Sequence, residues 1–253
     1  MPIAFITGCT AGIGKATAEI LAENGFDVII NGRRADQLEN LKEELIAKYG
    51  VRVLALPFDV RNQDAVDAAI AGLPNDWKQI DVLINNAGLG LGKGPIHEGI
   101  LDDWNMMIDT NIKGLLWVTH AVLPQMIACK NGHIINLGSI AGKEVYAGGN
   151  VYCMTKHAVD AITKAMRIDL LPHNIRVTGI HPGKVETEFS IVRFKGDTEK
   201  AEKEYVGYEP LHARDVAETI LFAVTRPPHV TINDLTVMPT AQANTNHLYK
   251  KDT

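Results

Sequence analysis

Cysteine is scarce in this 253-residue chain: Cys9, Cys129 and Cys153 are odd in number and far apart. They fit neither a disulfide framework nor a zinc-binding spacing, and they point to a reducing cytoplasm. Nine histidines form no ligand-spaced cluster, so no metal is expected. A basic excess is also missing. Lys and Arg total 25 against 30 Asp and Glu, a net charge of −5, which argues against a nucleic-acid partner. The opening MPIAFITG lacks a basic segment, an apolar run and a small-residue cleavage site in that order, so no secretory signal is expected. No run of 18 apolar residues is present, and no membrane span is expected either. Internal repeats and low-complexity blocks are likewise absent, and no linker divides the chain.

What is present is enough apolar material for a full core: 46% hydrophobic against 22% charged residues. Buried-strand and helical patterns alternate from end to end. Strands are expected at 3–7, 27–31, 51–56, 81–85, 133–137, 175–180 and 234–238. Helices are expected at 15–24, 63–72, 151–171 and 212–224, with a long one at 103–129 bent near Gly114 or Pro124. Leu38, Leu41, Leu45 and Tyr49 share one further helical stripe, which Gly50 stops. This alternation predicts an α/β chain: a single doubly wound parallel sheet of Rossmann type with helices on both faces, in one domain over 1–253.

The first strand opens into TGCTAGIG. Its glycines, Gly8, Gly12 and Gly14, follow a Gly-x-x-x-Gly-x-Gly spacing. A glycine turn that ends in a helix lets backbone approach a pyrophosphate and places the helix N-terminus on its charge. Cys9, Thr10, Ala11 and Ile13 belong to the same candidate cradle. The second strand ends in NGRR, with no carboxylate for a ribose hydroxyl but two guanidinium forks, Arg33 and Arg34. Guanidinium suits a phosphate, so the expected cofactor carries a 2′-phosphate and is NADP(H).

Further motifs appear in a fixed order: Asp59-Val60, NNAG at 85–88, Asn111 in TNIKG, Ser139 in GSIAG, Tyr152 and Lys156 in YCMTK, and Pro182-Gly183 with Val185 and Thr187. With them the chain resembles the short-chain dehydrogenase/reductase family over nearly its whole length. The resemblance implies that Asp59 and Val60 lie beside the adenine and that Asn86, Ala87 and Gly88 border the cofactor. It also implies that Pro182, Gly183, Val185 and Thr187 form the nicotinamide-side loop, that Asn111, Ser139, Tyr152 and Lys156 are the catalytic four, and that the assembly is a homotetramer. A spacing of four places Tyr152 and Lys156 on one helical face, and Ser139 stands just past a strand end, where open parallel sheets bind ligands.

The expected chemistry is proton transfer by Tyr152 to or from a substrate oxygen held by Ser139. Lys156 lowers the phenol's ordinary pKa of about 10 and bonds the nicotinamide ribose, and Asn111 anchors a water relay. Cys153, beside Tyr152, is read as filling a small buried site. Residues 188–210 stand where a substrate lid is expected, and their polar, charged composition favours a small polar substrate. MIDTNIKGL, HIINLGSIAG, YAGGNVYCMTK and EFSIVRFKGD are similar to the NADP-dependent 3-hydroxy acid dehydrogenase branch, whose substrates are small molecules such as L-serine, L-allo-threonine and 3-hydroxyisobutyrate, or short semialdehydes. Arg193 is the leading candidate for the substrate carboxylate, with Lys184 and Lys143 behind it. The competing readings are a general NADPH carbonyl reductase and a non-catalytic NADPH-sensing module.

Overall fold

The computed structural model describes residues 1–251. Seven strands form one parallel sheet: β1 (Ile3–Ile6), β2 (Asp27–Gly32), β3 (Val53–Pro57), β4 (Val82–Asn85), β5 (Gly132–Leu137), β6 (Ile175–Pro182) and β9 (Asp234–Val237). Their order is β3-β2-β1-β4-β5-β6-β9, so the winding reverses between β1 and β4. The strands are short and apolar because both faces are covered. Ala4, Ile6, Val28 and Ile30 point to one side and pack with the helices α1 (Gly12–Glu23), α2 (Ala35–Tyr49) and α9 (Ala213–Val224). Phe5, Ile29, Leu83 and Ile134 point to the other and pack with α3 (Gln63–Ala71), α5 (Leu115–Cys129) and α6 (Asn150–Asp169). The expected doubly wound sheet is therefore the observed one.

The long expected helix is interrupted. Helix α4 (Leu101–Ile108) passes through a π-helical turn, Asp109–Gly114, into α5, and Pro124 sits inside α5. This stretch, Leu101–Cys129, is the one candidate among the described residues that is long and apolar enough to cross a membrane by length and composition. Within the fold its Val118, Val122 and Met126 are fully or almost fully buried against the sheet.

Two short helices, α7 (Glu188–Arg193) and α8 (Thr198–Lys203), were not expected. Thr187 caps the first and Asp197 the second through side-chain oxygens. Their excursion from the sheet is closed at its base by a two-stranded parallel ladder, β7 (Val185–Glu186) against β8 (Leu211–His212). The chain then returns past β9, and Gln242 and Thr245 reach the mouth of the cleft described next.

Candidate active site

The reversal of strand order opens a cleft of about 420 Å³ at the C-terminal edge of the sheet. Gly8 (φ 74°) and Gly12 (φ 55°) take left-handed conformations in its first turn. A Cβ on Gly14 would overlap the Gly8 carbonyl oxygen, and one on Gly8 would lie 3.0 Å from Ala87 Cα. Thr7 Oγ1 accepts from the Asn86 and Ala87 amides at 3.0 Å each, and Asn86 Nδ2 donates to the Thr7 carbonyl at 2.8 Å. The glycine turn and the loop after β4 are thereby stapled together. Helix α1 has no acidic residue in its first turn and no side-chain cap, so its free N–H groups suit an anion. This bare cradle, with Arg33 lining the same cleft, fits a phosphorylated dinucleotide.

Most expected cofactor residues line this cleft: Gly8, Thr10 to Gly14, Arg33, Asp59, Val60, Asn86 to Gly88, Pro182, Gly183, Val185 and Thr187. Cys9 and Arg34 do not. Cys9 is fully buried, its thiol donates to the Ile6 carbonyl at 3.1 Å, and burial pushes it up to about 12. Arg34 turns aside to Thr10 Oγ1 (2.7 Å) and Glu188 (3.3 Å). Asp59 is held by Arg61 at 2.6 Å, a partner the sequence reading passed over although it stands only two residues on. Burial alone would raise the Asp59 carboxyl; the Arg61 hydrogen bonds and the Arg33 charge overcome this and lower it.

Ser139, Tyr152 and Lys156 converge on the inner end. Ser139 follows β5 and caps a single 3-10 turn, accepting from the Ala141 amide at 3.1 Å. Lys156 is 6% exposed and donates to the Leu137 carbonyl at 2.8 Å. Among the described residues no carboxylate lies within ion-pair distance of it, and burial pushes the ammonium down to about 8. The Tyr152 ring meets Phe189 from α7 at 5.5 Å between centroids, tilted by 59°. Its phenol differs from expectation. Burial raises it above the ordinary range, Tyr146 adds to the rise, and Ser139 and Arg193 act against it. In the protein alone desolvation outweighs any help from Lys156.

Asn111 lies behind this wall, 2% exposed, in the π-helical turn. Its Oδ1 accepts from the Leu89 amide, and its Nδ2 donates to the Leu89 carbonyl, both at 2.8 Å, and to Thr155 Oγ1 at 3.0 Å. Both amide hydrogens are committed to protein. Arg193 reaches the cleft from α7. It donates to the Tyr146 hydroxyl at 2.7 Å and lies 5.4 Å over the Tyr152 ring. Lys143 is turned away, into Asp160 (2.5 Å) and Asp234 (3.5 Å). Those two aspartates and His181 bring ligand-type atoms within 4.8 Å of one another, a grouping invisible in the sequence because it joins α6, β6 and β9. Lys184 lines the cleft and pairs with Glu204 at 2.5 Å, and Lys93 meets the same carboxylate at 3.2 Å. Burial would raise Glu204, but the hydrogen bond and charge of Lys184 and the charge of Lys93 hold it down to about 2. Lys93, Tyr146, Phe189, Glu204 and Gln242 were not singled out by the sequence.

The sequence pattern of the short chain dehydrogenase family matches residues 2–197. An NADP-dependent 3-hydroxy acid dehydrogenase of Salmonella typhi is 49% identical over 242 residues, 95% of this chain and 96% of that one. A namesake from Schizosaccharomyces pombe is 46% identical over 248 residues, 98% of this chain and 96% of its own. Among solved structures, the closed form of a serine dehydrogenase complexed with NADP⁺ superposes with a TM-score of 0.93 at 45% identity, covering 99% of this chain and 100% of that one. Serine dehydrogenase from Escherichia coli superposes with a TM-score of 0.82 at 41% identity, covering 95% of this chain and 99% of its own.

Proposed function

This chain belongs to the short-chain dehydrogenase family and is an NADP-dependent oxidoreductase acting on CH–OH groups; from that premise we propose that it interconverts small 3-hydroxy acids and their carbonyl forms. L-serine, L-allo-threonine, 3-hydroxyisobutyrate and short semialdehydes are the substrates in view. The observation that carries this reading is Arg193, a cation lying over the ring of Tyr152. A carboxylate paired with its guanidinium brings the neighbouring carbinol to the phenol.

Bound NADP(H) exchanges the hydride and, when oxidised, adds a positive charge that favours the Tyr152 phenolate. Ser139 holds the substrate oxygen by hydrogen bond. Tyr152 gives the oxygen its proton in reduction and takes the alcohol proton in oxidation. Its raised phenol keeps the proton at neutral pH, which suits the reductive direction. Lys156, whose ammonium has no carboxylate partner within ion-pair distance among the described residues, stabilises the phenolate when it forms. Because the Asn111 amide hydrogens are already used, the proton relay runs past its main chain, where the π-helical turn breaks the regular bonding of the helix.

Residues 188–210 act as the substrate lid of one domain over 1–253. A homotetramer fits the apolar trough between α5 and α6, lined by Leu115, Ala158 and Ile162, where Leu116 stands exposed. The three free thiols fit a reducing cytoplasm. The test is NADP⁺ reduction with a panel of 3-hydroxy acids and matched alcohols without the carboxylate. Acids preferred by an order of magnitude or more are expected; equal rates would support a general carbonyl reductase instead, and no turnover a sensing module.

A further inference from the structure

The substrate end of the cleft carries an unusual charge arrangement. Lys93 follows the loop after β4, Lys184 follows β6, and Glu204 comes from the segment after α8, so three separate elements meet at one carboxylate. Lys184 occupies Glu204 Oε2 and Lys93 occupies Oε1. Each carboxylate oxygen is therefore already held by an ammonium. Arg193 adjoins the same group: its Nε donates to the carbonyl of Gly92, the residue before Lys93, at 3.3 Å. The Tyr146 phenol feels both Arg193 and Glu204. Among these four side chains, three cations against one anion leave a net charge of about +2 at the substrate end, and Glu188, which lines the same cleft, is spent on Arg34.

That surplus treats two close substrates differently. A 3-hydroxy acid and its 2-amino counterpart share the carboxylate that Arg193 takes. They differ in one ammonium, which enters a site where Glu204 is already saturated and two lysine charges repel it. Resting on the 3-hydroxy acid reading above, we propose that Lys93, Lys184 and Glu204 form a charge filter that favours 3-hydroxy acids and semialdehydes lacking an ammonium over zwitterionic amino hydroxy acids. The lysines set the repulsion, and Glu204 limits it and holds the two lysines together.

The test compares 3-hydroxypropionate with L-serine, which differ at C2 by hydrogen against ammonium. The quantity read is the ratio of their kcat/KM values with NADP⁺. Wild type is expected to prefer 3-hydroxypropionate. Lys93→Met and Lys184→Met should each shrink the ratio about fivefold, as expected for one partly exposed charge within about 10 Å of the substrate. Glu204→Gln should widen it, because an anion is lost. Raising the ionic strength should shrink it in wild type and hardly at all in the double lysine variant. A purely structural loosening of the lid would lower both efficiencies and leave the ratio unchanged. An unchanged ratio across all three variants, or a wild-type preference for L-serine, overturns the filter while leaving the 3-hydroxy acid reading intact. If simple alcohols are oxidised and neither acid is, both fail.

Discussion

Arg193→Met tests the assignment of the substrate carboxylate most directly. The guanidinium lies 5.4 Å over the rings of both Tyr146 and Tyr152. A carboxylate about 4 Å from it, at an effective dielectric near 20, gains about 4 kcal/mol of Coulomb energy. Desolvating both ions offsets roughly half of that. About 2 kcal/mol remains, or roughly a 30-fold loss in kcat/KM when the cation is removed. The suitable assay pairs 3-hydroxybutyrate with 2-butanol, in which a methyl replaces the carboxylate. Only the acid should lose the full factor, and the alcohol should change by less than about threefold. A second consequence has a defined sign. Arg193 works to lower both tyrosine phenols, so its loss should move the alkaline rise of the oxidation rate to higher pH. Arg193→Lys should keep that pH behaviour yet recover only part of the acid efficiency, since an ammonium lacks the planar fork. Equal losses with acid and alcohol would mean that Arg193 only packs the lid, and an unaffected acid would place the carboxylate elsewhere.

Tyr152→Phe should lower turnover by at least about 10³-fold in both directions while NADPH still quenches protein fluorescence with wild-type affinity; substantial residual turnover would remove Tyr152 as the acid/base group. Lys156→Met should abolish turnover yet stabilise the fold. Burial pushes this ammonium from its ordinary value down to about 8, a cost to the folded state that is complete below about pH 8 and gone above about pH 10.5, where the unfolded chain also loses its proton. The variant should therefore gain about 1–3 kcal/mol in urea unfolding at pH 7, with the gain fading as pH rises toward 10; a net loss at pH 7 would refute the unpaired-charge argument. Arg33→Ala should cut the preference for NADP⁺ over NAD⁺ by roughly tenfold, about one charge-assisted hydrogen bond. Arg34→Ala should do less, because Arg34 is committed to Thr10 and Glu188; the reverse order, read as a ratio of kcat/KM values, would mean that Arg34 swings to the phosphate.

The parts of the fold that can be read from sequence are those governed by local periodicity. The stripe of Leu38, Leu41 and Leu45 is buried in α2, and Gly50 ends that helix at φ 68° as its position suggested. The buried strands are mostly apolar because helices cover both faces, with Asp27, Asn31 and Asn85, at or next to strand ends, among the buried polar exceptions. The long helix was harder. Of the two candidates for a bend, Gly114 does end the irregular turn, but that turn begins at Asp109 and holds Asn111, which is drawn to the main chain of Leu89, 22 residues earlier. Helices α7 and α8 have six residues each, too few for a stripe, and depend on caps and on packing against each other. The two-residue strands β7 and β8, which close the base of that excursion, carry no alternation at all. Ser139, Tyr152 and Lys156, which converge on the cleft, were legible because motifs fix them in order. The charge cluster was legible only in part: Arg193 and Lys184 stood out, but Lys93 and Glu204 are 111 residues apart, and only the folded chain reveals that Lys143 is spent on Asp160.

The same geometry explains why the site is arranged at a cost to stability. A buried ammonium held by one carbonyl and a phenol raised by desolvation both disfavour charge in the folded protein. Pairing Lys156 with a carboxylate would relieve the first, but in the proposed mechanism it would cancel the field that favours the phenolate at the moment of proton transfer. In the proposed mechanism, the contact of Phe189 with Tyr152 and the β7–β8 ladder at the base of residues 188–210 serve to keep water from the phenol, which would strengthen whatever charge forms there. Stability is surrendered where the reacting oxygen will sit and recovered in the two apolar layers beneath it. In the proposed mechanism, low dielectric, an uncompensated cation and a lid that keeps out water belong together: remove any one, and the other two either cost stability without assisting proton transfer or leave too little phenolate near neutral pH to take the alcohol proton.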